Sequence, residues 1–423
     1  MKSVCFMLLS YLTLSIGITS CNQDEFENYE PEKQKKFSKA ELIEQALKRM
    51  PQTRANGNLN MLIRMVTIKD TISIKCRVDD TVTFYWDNEL SAQVTKETNT
   101  PQIYTFTDGR PSHFISVIGT DQALRDLDLC NNGIILLEVY SNKNLLYLYC
   151  NDNHLDEIDL TDCPNLQMLY VPNNELSSIN VTNLSKLESF NASNNRLTKI
   201  SFSQHPYMYE LFVENNQLID LDLSGISDLS TLTVQNNPLR NLNLKECLYL
   251  EFLDISSTPI KTLDLSHNTN LWEIRLENTS IEVLNNQFIC GTSFSVFNKL
   301  ERLNVAYTGL TSLDLSNMPR LTTLNISGST ITQLNLSNSN MFYRLYATRS
   351  KLTDLICTTG QLKSLYEVRI ESTPLEKDLT KIEALGELLP FRTDTSPGHL
   401  YTYSLYVDNL FLYTIPKNWV INR

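Results

Sequence analysis

Four aspartates in this chain keep step with one another: Asp159, Asp222, Asp264 and Asp314. Paired carboxylates are the groups used for acid–base hydrolysis and for calcium binding. Their phase argues for a plainer role. The first three are separated by multiples of 21 residues, and a carboxylate that returns with a repeat caps the same turn each time. The five histidines, His113, His154, His205, His267 and His399, are scattered, and there is no P-loop, GxGxxG, GxSxG or HExxH. Nine cysteines are present. Beyond Cys5 and Cys21 they are Cys76, Cys130, Cys150, Cys163, Cys247, Cys290 and Cys357. An odd set without CxxC argues against a disulfide framework or a zinc site. The expectation is a chain with no catalytic residue, no metal and no cofactor.

The phase comes from an internal repeat. Residues 145–165 read LLYLYCNDNHLDEIDLTDCPN and residues 166–186 read LQMLYVPNNELSSINVTNLSK. Leu145, Leu148, Cys150, Leu155, Ile158 and Leu160 match Leu166, Leu169, Val171, Leu176, Ile179 and Val181. The same frame begins at Leu124, Leu145, Leu166, Leu187, Met208, Leu229, Leu250, Leu271, Leu300, Leu321, Phe342 and Leu365. The pattern L-x-x-L-x-L-x-x-N-x-L-x-x-L-x-L, with a five-residue return, resembles the leucine-rich repeat in its short form. The resemblance implies a solenoid of about twelve units over 121–375. Each L-x-L is a strand with leucines inward and x residues outward. One unit cannot bury its apolar face alone, so neighbours must stack and pair in parallel.

Asn132, Asn153, Asn174, Asn195, Asn216 and Asn237 form a column at the turn, where an amide can satisfy buried backbone groups. The next units carry Thr258, Thr279, Thr308, Ser329, Ser350 and Thr373 instead. A hydroxyl makes fewer such bonds, so the turn geometry or the curvature is expected to change near residue 258. Residues 285–299 contain an eight-residue excess over the repeat, with Phe288, Phe294 and Phe297; a protruding loop or short helix is expected there.

The outward x positions are where recognition would occur. Tyr147, Tyr149, Met168, Tyr170 and Phe212 form an aromatic strip in the early units, with Tyr149 and Tyr170 expected to stack across adjacent strands. Farther on, Phe252, Trp272, Arg275, Arg302, Arg344, Tyr346 and Arg369 form a mixed zone among acidic residues. The same side chains also suit lateral stabilisation of the sheet and ion pairs between units.

The flanks complete the layout. Lys2 followed by the apolar run 4–18 reads as a targeting segment over 1–20. Ile18-Thr19-Ser20-Cys21 resembles the lipobox of bacterial lipoproteins, which implies acylation of Cys21 and anchoring by lipid alone. A charged tether follows over 22–37. Ser38-Lys39-Ala40-Glu41 is a capping box for a helix over Ala40–Met50. Ile72, Ile74, Cys76 and Val78, then Val82, Phe84 and Trp86, alternate as half-buried strands of a small antiparallel β-sandwich over 58–120. Phe84-Tyr85-Trp86-Asp87-Asn88 resembles the strand motif of polycystic-kidney-disease-type domains. The last part, 376–423, reads as a cap, with a helix over Lys377–Leu389, a strand from His399 and Trp419 closing the final coil.

The whole is mainly β: a leucine-rich-repeat solenoid preceded by a small antiparallel β-sandwich. It resembles the leucine-rich-repeat lipoproteins of Bacteroidetes. That resemblance implies an outer-membrane lipoprotein on the cell surface whose concave sheet binds a macromolecule, with a protein as the first choice. A glycan ligand and a structural spacer are the alternatives. The formal net charge of −12 opposes nucleic acid and anionic membrane surfaces.

Overall fold

The structure, a computed structural model, describes residues 37–49, 60–87, 89–95, 102–281, 297–337, 339–357, 362–390, 392, 396–402 and 417–422. The targeting segment 1–20, Cys21, tether residues 22–36, Cys290 and insertion residues 285–296 lie outside the described residues. The chain divides into two compact units after Glu41.

In the first unit Ser38 and Glu41 form the expected capping box. The Ser38 amide and hydroxyl donate to Glu41 Oε2 at 2.7 and 3.0 Å, and the Glu41 amide donates to Ser38 Oγ at 3.3 Å. The helix, α1, runs Lys39–Leu47, starting one residue earlier and ending before the expected Met50. In the second unit Ala46 packs with Val66, Phe114 and Ile135.

Eight strands open the second unit: β1 (Asn60–Thr67), β2 (Thr71–Val78), β3 (Val82–Trp86), β4 (Glu89–Val94), β5 (Gln102–Thr105), β6 (His113–Gly119), β7 (Leu124–Asp128) and β8 (Ile134–Val139). One sheet has the order β4-β3-β6-β1-β8 and is antiparallel throughout. The other layer of the sandwich is β5 and β2, which continue through β7 into the solenoid sheet. Trp86 of one layer stacks on Tyr104 of the other, centroids 5.1 Å apart. The alternating residues of β2 and β3 are buried between the layers. The sandwich and the repeats therefore share strands: β8, which closes the small sheet, is the second half of the first repeat.

From β7 onward each repeat contributes a three-residue parallel rung, among them β9 (Tyr147–Tyr149) and β10 (Met168–Tyr170). The rungs pair in strict register from unit to unit, and the inward residue of each, Leu148 or Leu169 for example, is fully buried. With β5 and β2 at one end and two strands of the C-terminal cap at the other, they make a sheet of 16 strands. This is the leucine-rich-repeat architecture. Two short pairs lie on the opposite side of the coils, Ile179–Asn180 with Ile200–Ser201 and Gln333–Asn335 with Asp354–Ile356.

The asparagine column shows how coils are joined. Asn174 Nδ2 donates to Cys150 O of the preceding coil at 2.9 Å and to Val171 O of its own at 3.1 Å; its Oδ1 accepts from Leu155 N at 3.0 Å. Asn153, Asn195, Asn216 and Asn237 repeat the scheme. Asn132 has no earlier coil to grip and instead holds Ser73 of β2, through both its oxygen (2.7 Å) and its nitrogen (2.8 Å). Of the hydroxyls that follow, those of the threonines donate within their own turn, as Thr258 Oγ1 does to Ile255 O at 2.7 Å and Thr279 Oγ1 to Leu276 O at 2.8 Å.

The expected change of turn geometry at 258 does not occur in the backbone. The residue before the column is left-handed on both sides of that point: φ is 55° at Asn173 and Asn215, 56° at Ser257, 55° at Tyr307 and 60° at Arg349. What changes is the side-chain link between coils.

Phe297 also corrects the expectation for the insertion. It is buried at 1% exposure and its carbonyl accepts from Leu300 N. Cys247 and Met318 make the same bond in their coils. Phe297 therefore belongs to the coil and not to the protruding segment.

Beyond the twelfth rung, Glu367–Arg369, come a 3-10 turn at Leu375–Lys377 and a helix, α2 (Leu379–Leu388), capped by Asp378. Two more parallel strands, Gly398–Tyr401 and Trp419–Asn422, then extend the same sheet. Trp419 is nearly buried and its Nε1 donates to Pro390 O at 2.8 Å.

Candidate partner-binding surface

In each rung the residues on either side of the buried one point to the concave face. Strict register turns them into two columns that run across the units. In the early part Tyr147 lies beside Met168 and Tyr149 beside Tyr170. Next come Ser189 and Asn191, then Glu210 and Phe212. Tyr149 and Tyr170, expected to stack as lateral neighbours, are neighbours in register and meet edge to face, with centroids 5.5 Å apart and planes at 89°. The positive ring edge on the negative ring face is the favoured electrostatic arrangement.

A chain of hydroxyls runs along this zone. Ser189 Oγ donates to Glu210 Oε2 at 2.7 Å and lies 3.0 Å from Tyr170 Oη, so the phenol is the donor of that second bond. Burial pushes the Tyr149 phenol up to about 12 and raises Tyr170. Burial also raises Glu210, against the lowering pull of Ser189. The phenols stay neutral and act as donors and apolar surfaces. Tyr209, just ahead of the Glu210–Phe212 rung and half-buried, has its phenol raised by burial and by Glu210. Sequence reading missed it because it considered only the two x positions of L-x-L.

Two residues expected at the contact surface, Phe212 of the strip and Phe252 of the mixed zone, are buried. Phe212 is 8% exposed and Phe252 is 2% exposed. Neighbouring side chains close over an aromatic ring in the middle of this face. Phe252 lies under Arg275, whose guanidinium carbon is 5.1 Å from the ring centre, and against Trp272 at 6.2 Å. Tyr147, Tyr149, Met168, Tyr170, Trp272, Arg275, Arg344, Tyr346 and Arg369 are half-buried, and Arg302 is exposed.

The arginines fall into two groups built on buried glutamates. Glu273 accepts from Arg275 at 2.6 Å and from Arg302 of the next rung at 3.4 Å. Glu367 accepts from Arg369 of its own rung at 2.8 Å and lies 3.3 Å from Arg344 of the rung before. Asp254 lies 3.7 Å from Arg275. Aromatic rings support the guanidinium planes: Trp272 beneath Arg302 at 5.8 Å, Tyr343 beneath Arg344 at 5.2 Å, and Tyr346 and Tyr401 against Arg369 at 5.5 and 4.2 Å. Tyr343 and Tyr366 stack at 5.0 Å with planes 5° apart.

At the other end of the face, Asp126 and Asp128 are paired with Arg77 (2.9 Å) and Lys75 (3.4 Å) of β2.

The phased aspartates cap turns. Asp159, Asp222, Asp264 and Asp314 each accept from the amide two residues on, at 2.9–3.0 Å. These bonds, with the hydroxyls of Thr161, Ser224 and Ser266, hold the first three below the usual carboxylate range. Asp87, Asp108 and His113 come close enough together to suggest a metal site. However, His113 Nδ1 already bonds Asp87 Oδ2 at 3.0 Å, and Arg110 lies on both carboxylates at 3.5 and 3.2 Å. The guanidinium supplies the positive charge that an ion would bring. Cys150, Cys163 and Cys247 are fully buried core residues, and burial pushes the Cys163 thiol up to about 12 and Cys247 to about 11. No helix among the described residues is long and apolar enough to cross a membrane.

No family model matches the chain, and no curated protein matches it. Among solved structures the chain is similar to the functional domain of InlJ from Listeria monocytogenes, at 18% identity over 70% of this chain and 77% of that one, TM-score 0.47. It is similar to a leucine-rich-repeat protein of Leptospira interrogans, at 18% identity over 59% and 77%, TM-score 0.44. It is also similar to YopM, a leucine-rich effector of Yersinia pestis, at 26% identity over 56% and 63%, TM-score 0.47.

Proposed function

We propose that this protein is a non-enzymatic binding scaffold of the cell envelope, anchored by lipid on Cys21 at an outer-membrane surface, whose concave sheet holds a protein partner. The observation that carries the binding reading is the row Tyr147, Tyr149, Met168 and Tyr170. These side chains are held in register on adjacent rungs, half open to solvent. Large, stiff amphipathic side chains on a rigid sheet lose little entropy on binding. The lipid reading is supported by the sequence around Cys21 alone.

The test compares the full chain with its Tyr147→Ala/Tyr149→Ala/Tyr170→Ala variant, after showing that both melt alike. Each is cross-linked in envelope and host extracts, and captured proteins are identified. A protein taken by the first and lost by the second supports a concave-face receptor or adhesin. Equal capture moves the contact to the sandwich and favours a spacer, and capture of no protein by either favours a glycan. For the anchor, metabolic labelling with palmitate should mark the chain and not its Cys21→Ser variant.

A further inference from the structure

The two arginine groups are mirror images across a single rung. Arg302 and Arg344 occupy the same column, with Thr323 between them: Arg302 registers with Thr323, and Thr323 with Arg344. Each is the looser arm of its group, at 3.4 and 3.3 Å from its glutamate against 2.6 and 2.8 Å for Arg275 and Arg369. The carboxylates that balance them are at the floor, with Glu273 4% and Glu367 8% exposed. The rung between them, Thr323–Asn325, carries no charge and is half-buried. Asn325 uses its oxygen to cap Ser327 N at 3.0 Å, a bond that does not engage its amide nitrogen, which is a donor. Two guanidinium groups, a hydroxyl and an amide thus surround one rung, and its own two outward side chains bring no carboxylate.

The geometry points to this rung as the seat of a carboxylate from an extended, acidic segment of the protein partner; this rests on the concave-face reading above. Rungs about 4.8 Å apart put Arg302 and Arg344 about 10 Å apart, a span that two guanidinium groups can close around one carboxylate. The flanks select the neighbours of that acidic residue. Trp272 lies two rungs to one side and Tyr366 two rungs to the other, both half-buried. Each is about 10 Å from the seat, which is about three residues of extended chain. The surface therefore fits one Asp or Glu with an apolar residue about three positions to either side. A polyanion such as nucleic acid or a sulfated glycan fits less well. The concave columns offer no run of cations, and the chain's net charge of −12 repels a long anion.

The probe is a library of random twelve-residue peptides displayed on phage and selected on the immobilised full chain at low salt. Arg302→Gln/Arg344→Gln is the discriminating variant. Each glutamate keeps its tighter arginine in it, so no buried charge is stranded, and equal melting confirms this. The expected result is enrichment of peptides with an acidic residue between apolar ones. As synthetic peptides they should bind the variant at least tenfold more weakly, lose affinity as salt rises, and partly recover with Arg302→Lys/Arg344→Lys. Peptides that bind the glutamine variant equally well, selections that favour neutral or basic peptides, or no enrichment overturn the inference. A partner lost only with the tyrosine variant would leave the concave-face reading standing while this one falls.

Discussion

Asn195 Nδ2 donates to Val171 O, 24 residues earlier, at 2.9 Å. The same side chain accepts from Leu176 N at 3.0 Å, so one amide joins two coils at both ends. Thr258, at the equivalent place, bonds only to Ile255 O in its own turn. Removing the first strands a buried N–H and weakens a carbonyl in the neighbouring coil, whereas removing the second breaks one local bond. Asn195→Ala should therefore destabilise by about 2–3 kcal/mol and Thr258→Ala by about 1. Denaturant midpoints of the two variants give the comparison, and equal losses would refute the coil-joining role.

Phe252 was expected at the contact surface and is instead enclosed by Trp272 and Arg275. Phe252→Ala should lower stability by about 3–4 kcal/mol. A variant that melts like the parent would mean the ring is not held as described.

Glu210 has a folded pKa raised above its unfolded value, first by burial. The folded state then binds more protons than the unfolded one between those two values. Stability falls as pH rises through that interval, and the loss persists at neutral pH. Glu210→Gln keeps an acceptor for Ser189 and removes the charge. It should melt higher than the parent at pH 7, with the difference disappearing below the ordinary carboxylate range. A pH series of thermal melts tests the sign; a lower melt at pH 7 contradicts it.

Tyr307 holds φ at 55° in a column where asparagine is usual, and its ring approaches the spot where a Cβ on Gly328 would lie, 2.3 Å away. Gly328 itself has φ 64°. Tyr307→Asn should stabilise by about 1 kcal/mol through relief of strain. Gly328→Ala should destabilise, and less so in the Tyr307→Asn background. Additive effects in that double-mutant cycle would show that the two positions are not in contact.

Much of this was legible in the chain. The spacing of Leu145 to Leu166 carries the rung, the coil length and the buried face, because inward residues repeat with the backbone. The asparagine column was legible for the same reason. Phe212 and Phe252 were not: L-x-L says which way a residue points, while exposure depends on how far the sheet bends and which large side chain sits on the next rung. Nor was β8. Its residues Ile134–Val139 read as the second half of a repeat, and only the presence of β1 turns them into a strand of the other sheet. Phe297 was misplaced because the insertion ends inside a stretch with no leucine to mark the frame. The arginine groups were half visible: the four cations could be named, but the shared glutamates depend on pairs 29 and 23 residues apart, as in Glu273 with Arg302 and Glu367 with Arg344.

The left-handed column has one further consequence. Asn, Asp, Ser, Tyr and Arg all adopt nearly the same φ there, although tyrosine and arginine resist it on their own. The conformation is thus not chosen by the residue but inherited from the coil already in place, with its ladder of amides and carbonyls. Each finished coil acts as a mould for the next. The shape of the array is then copied along the chain while the side chains on its rim are free to differ. Such a protein can acquire a new surface by mutation without having to discover a new fold.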